Sequence, residues 1–173
     1  MELPARYREF IERFISVARR HIEAGHGLVP FAFVANLVSD RGTPVQIDTR
    51  DDTGKERTAS AIEKEAAELD ADCIFTIMQA WGLPRDLRAQ YDEMVERYGS
   101  ITNCPYRVDA VNFILETRHG VWAGQAPIEP REGDERKRTF GEVTLQHMDG
   151  GEGRFAKLLP GRNANQSGSA PLQ

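Results

Sequence analysis

The chemistry open to this chain rests on a small set of side chains. These are His21, His26, His119 and His147, the thiols of Cys73 and Cys104, and carboxylates in two places. No two histidines stand four apart with an acid between them, so no helical zinc site is written here. The cysteines have no CxxC spacing, which excludes a disulfide framework or a thiolate metal centre. His21 falls on an apolar stripe and reads as a packed side chain. His119 reads as a turn residue, and His26, between Gly25 and Gly27, is the most open of the four. Cys104 sits in Thr102-Asn103-Cys104-Pro105 and becomes a nucleophile only if the fold brings a base to it; a half-exposed free thiol is the plainer reading. Cys73 opens an apolar strand and reads as core. Asp48, Asp51 and Asp52 could hold a hard cation, but they lack the spacing of a calcium loop and read as a solvated turn. Asp109 and Glu116 share one strand at odd separation, hence opposite faces, and make a poor acid/base pair. No GxSxG elbow and no GxGxxG or GxxxxGK[ST] phosphate loop occurs. Asp149-Gly150-Gly151-Glu152-Gly153 is glycine-rich but opens no helix. No residue is therefore assigned as catalytic, cofactor-binding or metal-ligating, and no cofactor is expected. If a site is assembled by the fold, it is expected at a strand end near Gln79, Trp81, Cys104 and His119.

The elements that must position these groups are legible from periodicity. Tyr7, Phe10, Ile11, Phe14, Val17, Ala18, His21 and Ile22 recur at helical spacing, predicting an amphipathic helix from Ala5 to Ala24 that ends at Gly25. It reads as a core helix, and its three aromatics also suit dimerisation. Leu28 to Val38 reads as a strand buried on both faces. Ser39 to Gly42 reads as a turn with Gly42 at positive φ, and Thr43 to Asp48 as the returning strand. Pro30 and Pro44 mark a strand start or a sheet edge. Thr49 to Lys55 reads as a loop, Glu56 to Leu69 as a helix, and Cys73 to Trp81 as a central strand reached by a crossover. A third helix is expected from Pro84 to Tyr98, ended by Gly99. His119-Gly120 reads as a primed two-residue hairpin turn, with Thr117 facing Trp122. Glu129 to Arg138 reads as a charged loop and Thr139 to Met148 as the last strand.

The sum is one α+β domain over residues 1–150 in the order α-β-β-α-β-α-β-β-β. A mixed sheet of five or six strands carries helices mainly on one face, followed by a flexible tail over 151–173. The order is similar to that of profilin-like and roadblock-like domains. A strand ending Gln79-Ala80-Trp81 and a later hairpin ending Ala126-Pro127-Ile128 resemble a loose group of uncharacterised small bacterial proteins. In that group the strand ends Glu-Ala-Trp and the hairpin leads to a similar Ala-Pro-Ile segment. The resemblance spans about Phe10 to Leu145. It departs at Gln79, which stands where the acid would be, and it implies a fold without an activity.

Composition narrows the function class. The chain has 173 residues, 40% apolar and 28% charged, with 22 basic against 27 acidic side chains and a net charge of -5. That balance suits a folded domain and argues against nucleic acid or an anionic membrane as partner. Arg136-Lys137-Arg138 could touch a phosphate or an acidic partner, but Glu132, Asp134 and Glu135 offset it and a solvated loop is the plainer reading. No signal peptide is expected at the N-terminus, and Leu28 to Val38 falls well short of the roughly 20 residues of a membrane span. Arginine greatly outnumbers lysine, as in GC-rich bacterial or phage genomes. The expectation is a cytoplasmic binding or regulatory protein acting through protein contacts and homodimeric, with the aromatic stripe of helix one and any uncovered sheet edge as surface for a partner. The alternative is a hydrolase-like enzyme at the strand end named above.

Overall fold

The structure, a computed structural model, describes residues 1–150 and 157–160. Apart from Lys157–Pro160, the expected C-terminal tail lies outside the described residues. Three α-helices and seven strands are present among the described residues, confirming the α+β class. They run α1 (Ala5–Glu23), β1 (Phe31–Asn36), β2 (Arg41–Gln46), α2 (Asp52–Glu68), β3 (Cys73–Gly82), α3 (Tyr91–Tyr98), β4 (Val108–Thr117), β5 (Gly120–Arg131), β6 (Asp134–Phe140) and β7 (Gln146–Met148). The strand order is β2-β1-β3-β4-β5-β6, with β7 paired to β5. No helix among the described residues is long and apolar enough to cross a membrane.

The sheet is antiparallel, not mixed. At one end of β1 the Asp72 N–H donates to Ala35 O at 2.9 Å; at the other the Leu28 N–H donates to Gln79 Oε1 at 3.4 Å. Chain direction therefore reverses between β1 and β3. Helix α2 carries the chain back from β2, so the crossover joins β2 to a strand that is not its neighbour. Pro44 lies on the edge strand β2, where a missing N–H leaves no central ladder bond unmade.

The chain divides into two compact units. The first comprises Met1–Val29, Ile77–Phe113 and Gly124–Gln146; the second comprises Pro30–Thr76, Ile114–Ala123 and the described residues from His147 onward. In the first unit, α1 buries Tyr7, Ile11, Ile15, Ala18 and Ile22 and packs against β6. The predicted stripe is split: Phe10 and Phe14 are half-buried, and Val17 and His21 are exposed. Arg19 docks the helix, donating to Phe140 O at 3.0 Å and Gly141 O at 2.9 Å with its guanidinium 4.8 Å from the Phe140 ring. The expected third helix is broken. Arg85–Gln90 winds as a 3-10 helix before α3, and Leu83, Met94, Ile101 and Cys104 form a small core beneath them.

In the second unit, α2 packs on β1 and β2 and buries Thr58, Ile62 and Ala66. It starts four residues before the expected Glu56, because Asp51 acts as N-cap and accepts from Gly54 N–H at 2.6 Å. In the β1–β2 turn, Asp40 and not Gly42 takes positive φ, at 54°. Asn36 Oδ1 holds that turn by accepting from the N–H groups of Val38 and Ser39 at 3.1 and 3.0 Å. Gly42 instead lies under the Phe33 ring, which a Cβ would meet at 2.5 Å.

The β4–β5 turn is Arg118-His119, one residue earlier than expected. Neither residue has positive φ, so the turn is not a primed one. The Thr117 hydroxyl accepts from His119 N–H at 3.0 Å and supports it. Pairing shifts by two, Asn112 lying beside Gln125 and Thr117 beside Gly120. An even shift keeps every side chain on its expected face. The charged segment Glu129–Arg138 is a hairpin, not a loop. Strand β5 runs to Arg131, Gly133 turns at φ 83°, and β6 starts at Asp134. The expected last strand, Thr139 to Met148, is instead the end of β6 and the short β7.

Gly120 has a reason other than turn geometry. A Cβ there would lie 2.5 Å from His147 Nε2, and the His147 ring meets Trp122 edge-on at 5.1 Å between centroids. Gly120→Ala is expected to destabilise the protein by about 1–3 kcal/mol. In urea unfolding, His147→Ala in the same chain should remove most of that loss. Equal losses in both backgrounds would exclude the contact as the cause.

Candidate functional site

Strand β3 changes character along its length. Cys73 to Ile77 are buried without a break, after which Gln79 and Trp81 emerge on one face. In the first unit this face forms the floor of two adjoining hollows of about 480 and 660 Å³, both lined by Gln79, Trp81 and Asp109. The smaller hollow is walled by the end of α1, through Ile22 and Gly25–Gly27, and its floor continues through Ile128 of β5 to Arg138 of β6. Ile128 pairs with Phe140, two residues beyond Arg138 on β6, so the β5–β6 register turns Arg138 to the same side as Ile128. The larger hollow is bounded by Tyr91 and by the turn Ser100–Thr102. Both open to solvent, and together they form one groove.

Trp81 is the centre of this groove and is 42% exposed, as is Tyr91. The guanidinium of Arg107 stands 4.6 Å from the Trp81 ring centroid, and its Nη1 donates to Thr102 O at 2.6 Å. The stack is thus anchored to backbone. Behind Trp81 the sheet is tight. A Cβ on Gly82 would clash with the Gln125 side chain and with Ala110 Cβ at 2.7 Å. Gln125 Nε2 also donates to Asn112 Oδ1 at 2.6 Å, and Arg88 donates to Gln125 O.

Of the four residues expected at the strand end, the structure brings together Gln79 and Trp81. Cys104 is fully buried, its Sγ 4.0 Å from Met94 Sδ, and lines neither hollow; the half-exposed thiol expected from sequence is a core residue. His119 is an exposed turn residue of the second unit. His26 does reach the groove, on the loop after α1, and its ring lies 6.1 Å from that of His21. His21 is exposed, not packed in the core. Among the described residues no hydrogen bond joins His26 to Asp109. Sequence reasoning passed over Arg107 and Tyr91 as site residues, and it set Arg138 aside with its basic run as part of a solvated loop. Arg107 precedes β4 by one residue, and Arg138 sat in what read as a loop. The available signal was the alternation of Arg136, Arg138 and Phe140.

The acidic run is a capping structure. Asp48 receives a two-pronged contact from Arg50, Nε at 2.9 Å and Nη2 at 2.8 Å, together with the Arg50 N–H at 3.1 Å. Thr58 Oγ1 accepts from Asp48 N–H at 3.0 Å and donates to Gly54 O at 2.9 Å. Among the described residues no three His, Cys, Asp or Glu side chains are placed to hold a metal ion. The side-chain bond from Arg50 holds the Asp48 carboxyl well below the usual aspartate range. A depressed carboxyl stabilises the folded loop fully above its unfolded value, and the contribution is lost as pH falls through the lowered one. An NMR titration should find the Asp48 midpoint below that of ordinary aspartates, about 3.9. Arg50→Ala should return it toward that value.

Glu116 is the residue whose environment sequence left least visible. It is 1% exposed in the second unit and accepts from Leu158 N–H at 2.8 Å and Leu159 N–H at 3.2 Å. Leu158 and Leu159 are themselves buried, and Lys157 before them takes φ 63°. Glu116→Leu leaves two buried donors without this acceptor and is expected to cost about 2–4 kcal/mol. Glu116→Gln keeps an oxygen there and should cost less. Urea unfolding and exchange of the two leucine amides check both; equal losses would show that the acceptor oxygen is unimportant.

No protein-family model, no curated protein and no solved structure matches this chain.

Proposed function

We propose that this protein works by binding another polypeptide, with the groove around Trp81 as its contact surface. The observation that carries the reading is the group of Trp81, Tyr91 and Arg107 at the groove, the first two each 42% exposed. Trp, Tyr and Arg are the residue types that dominate binding energy at protein interfaces. Arg107 is already stacked on Trp81 and anchored to Thr102 O, so little side-chain freedom remains to be lost on association. A surface hollow open along its length suits an extended segment better than an enclosed small molecule. The compartment that fits two buried cysteines outside any disulfide is the reducing cytoplasm. At the level of architecture, two strands, a helix and then further strands support the analogy with profilin-like and roadblock-like domains, which brings no activity with it.

Self-association is retained in a narrower form. Its surface on α1 is the outer rim of Phe10, Phe14 and Val17, not the whole stripe. Light scattering at rising concentration that shows only the monomer removes it.

The groove reading is tested by panning an unbiased displayed-peptide library on the full chain. Enriched peptides are expected to bind Trp81→Ala about tenfold or more weakly. Binding should also shift the emission of Trp81 to the blue while Trp122, 1% exposed, stays unchanged. Enriched peptides that bind wild type and Trp81→Ala alike would overturn the reading.

A further inference from the structure

We infer that the groove takes an acidic polypeptide segment from a different protein, a refinement that rests on the binding reading above. The whole chain carries a net charge of -5, yet among the described residues the groove gathers Arg107, Arg138 and His26 against one carboxylate, Asp109. Two carboxylates adjacent in sequence to the lining residues Ile22 and Ile128 are engaged. Glu23 accepts from the Thr139 hydroxyl at 2.8 Å, and Glu129 lies 3.9 Å from Arg85. Beyond the groove wall, Arg20 and His21 of α1 line a smaller hollow that also includes His26. By strand alternation Arg136 lies on the same face of β6 as Arg138.

The arginines are not spent on internal pairing. Among the described residues neither Arg138 nor Arg20 forms an ion pair, so each keeps a fork of five N–H donors matched in shape to a carboxylate. Arg107 uses Nη1 on Thr102 O and lays its plane on Trp81. An acidic segment supplies carboxylates to these forks and lays apolar side chains beside Trp81 and Tyr91.

A second copy of this chain is the wrong occupant. A two-fold contact would set the groove of one copy on the same groove of the other, arginine facing arginine, between two chains of the same net charge. Nucleic acid is disfavoured as well, because neutralising successive phosphates needs a longer run of cations than the groove holds.

The experiment uses the full chain and three synthetic peptides of one length and the same Leu and Phe positions. The remaining positions are Asp and Glu, Lys and Arg, or Ser and Gln. Fluorescence anisotropy and Trp81 emission are read at low and at physiological salt. The acidic peptide is expected to bind best, to weaken about tenfold as salt screens the contacts, and to lose about tenfold or more on Arg138→Glu, which should improve the basic peptide. Acidic and basic peptides binding alike, or Arg138→Glu changing neither, overturns the acidic assignment. If the neutral peptide binds as well as the acidic one and Trp81→Ala weakens both, the groove stands and only the charge class falls. If Trp81→Ala changes nothing, the groove itself falls. An oligothymidylate that displaces the acidic peptide at physiological salt, or a dimer abolished by Arg138→Glu in light scattering, also overturns the inference. Trp81→Phe, which keeps a ring, should fall between wild type and Trp81→Ala and guards against a folding artefact.

Discussion

The alternation of side chains along β3 is the constraint on which the candidate site depends. A strand turns successive side chains to opposite faces, so once Ile77 is committed to the interior, Gln79 and Trp81 must follow on that same side. The backbone permits no other arrangement without a bulge. The exposure of Trp81 is therefore a consequence of where burial of β3 stops, after Ile77, and not of any preference of tryptophan for water. Its neighbours follow from the same rule. Asp109 on β4, Ile128 on β5 and Arg138 on β6 each contribute a side chain to one floor.

Close approach is the second theme. Gly82 lets the sheet accept Gln125 and Ala110 behind Trp81, Gly120 accepts the His147 ring, and Gly54 accepts the Asp48 carboxylate, which a Cβ would meet at 2.7 Å. None of these three has positive φ, so their glycines are required by space and not by backbone conformation. Each lies next to a polar side chain whose position matters. Gln125 is bonded to Asn112, Asp48 to Arg50, and His147 packs on Trp122. The missing Cβ lets a polar group and a backbone share volume that two side chains could not.

Local signals served well where local physics decides. The α1 periodicity, the apolar β3, the edge position of Pro44 and the facial partition of the β4–β5 hairpin were all readable. The hairpin partition survived a misplaced turn because the pairing error was even. Reading failed where a side chain substituted for a backbone rule. Asn36 and Thr117 support turns that glycines were expected to make, and Asp51 starts α2 four residues early. It failed again at Glu129 to Arg138, where charge density masked a hairpin. An edge strand facing water tolerates charges on both sides, so composition cannot separate it from a loop.

What the amino-acid sequence by itself determined is the class of the protein: an α+β chain of 173 residues with an acidic balance and no phosphate loop or helical histidine pair. Those properties follow from composition and short-range periodicity, which need no knowledge of distant contacts. Only the tertiary structure decided that Gln79 and Trp81 meet Arg107, Asp109 and Arg138, that Cys104 is sealed in a core, and that Glu116 is closed over by Leu158 and Leu159. Each depends on strand order, or on a segment far along the chain returning to a buried acceptor. Pairing free energy is spread over whole ladders, and no residue carries a local mark of its distant partner.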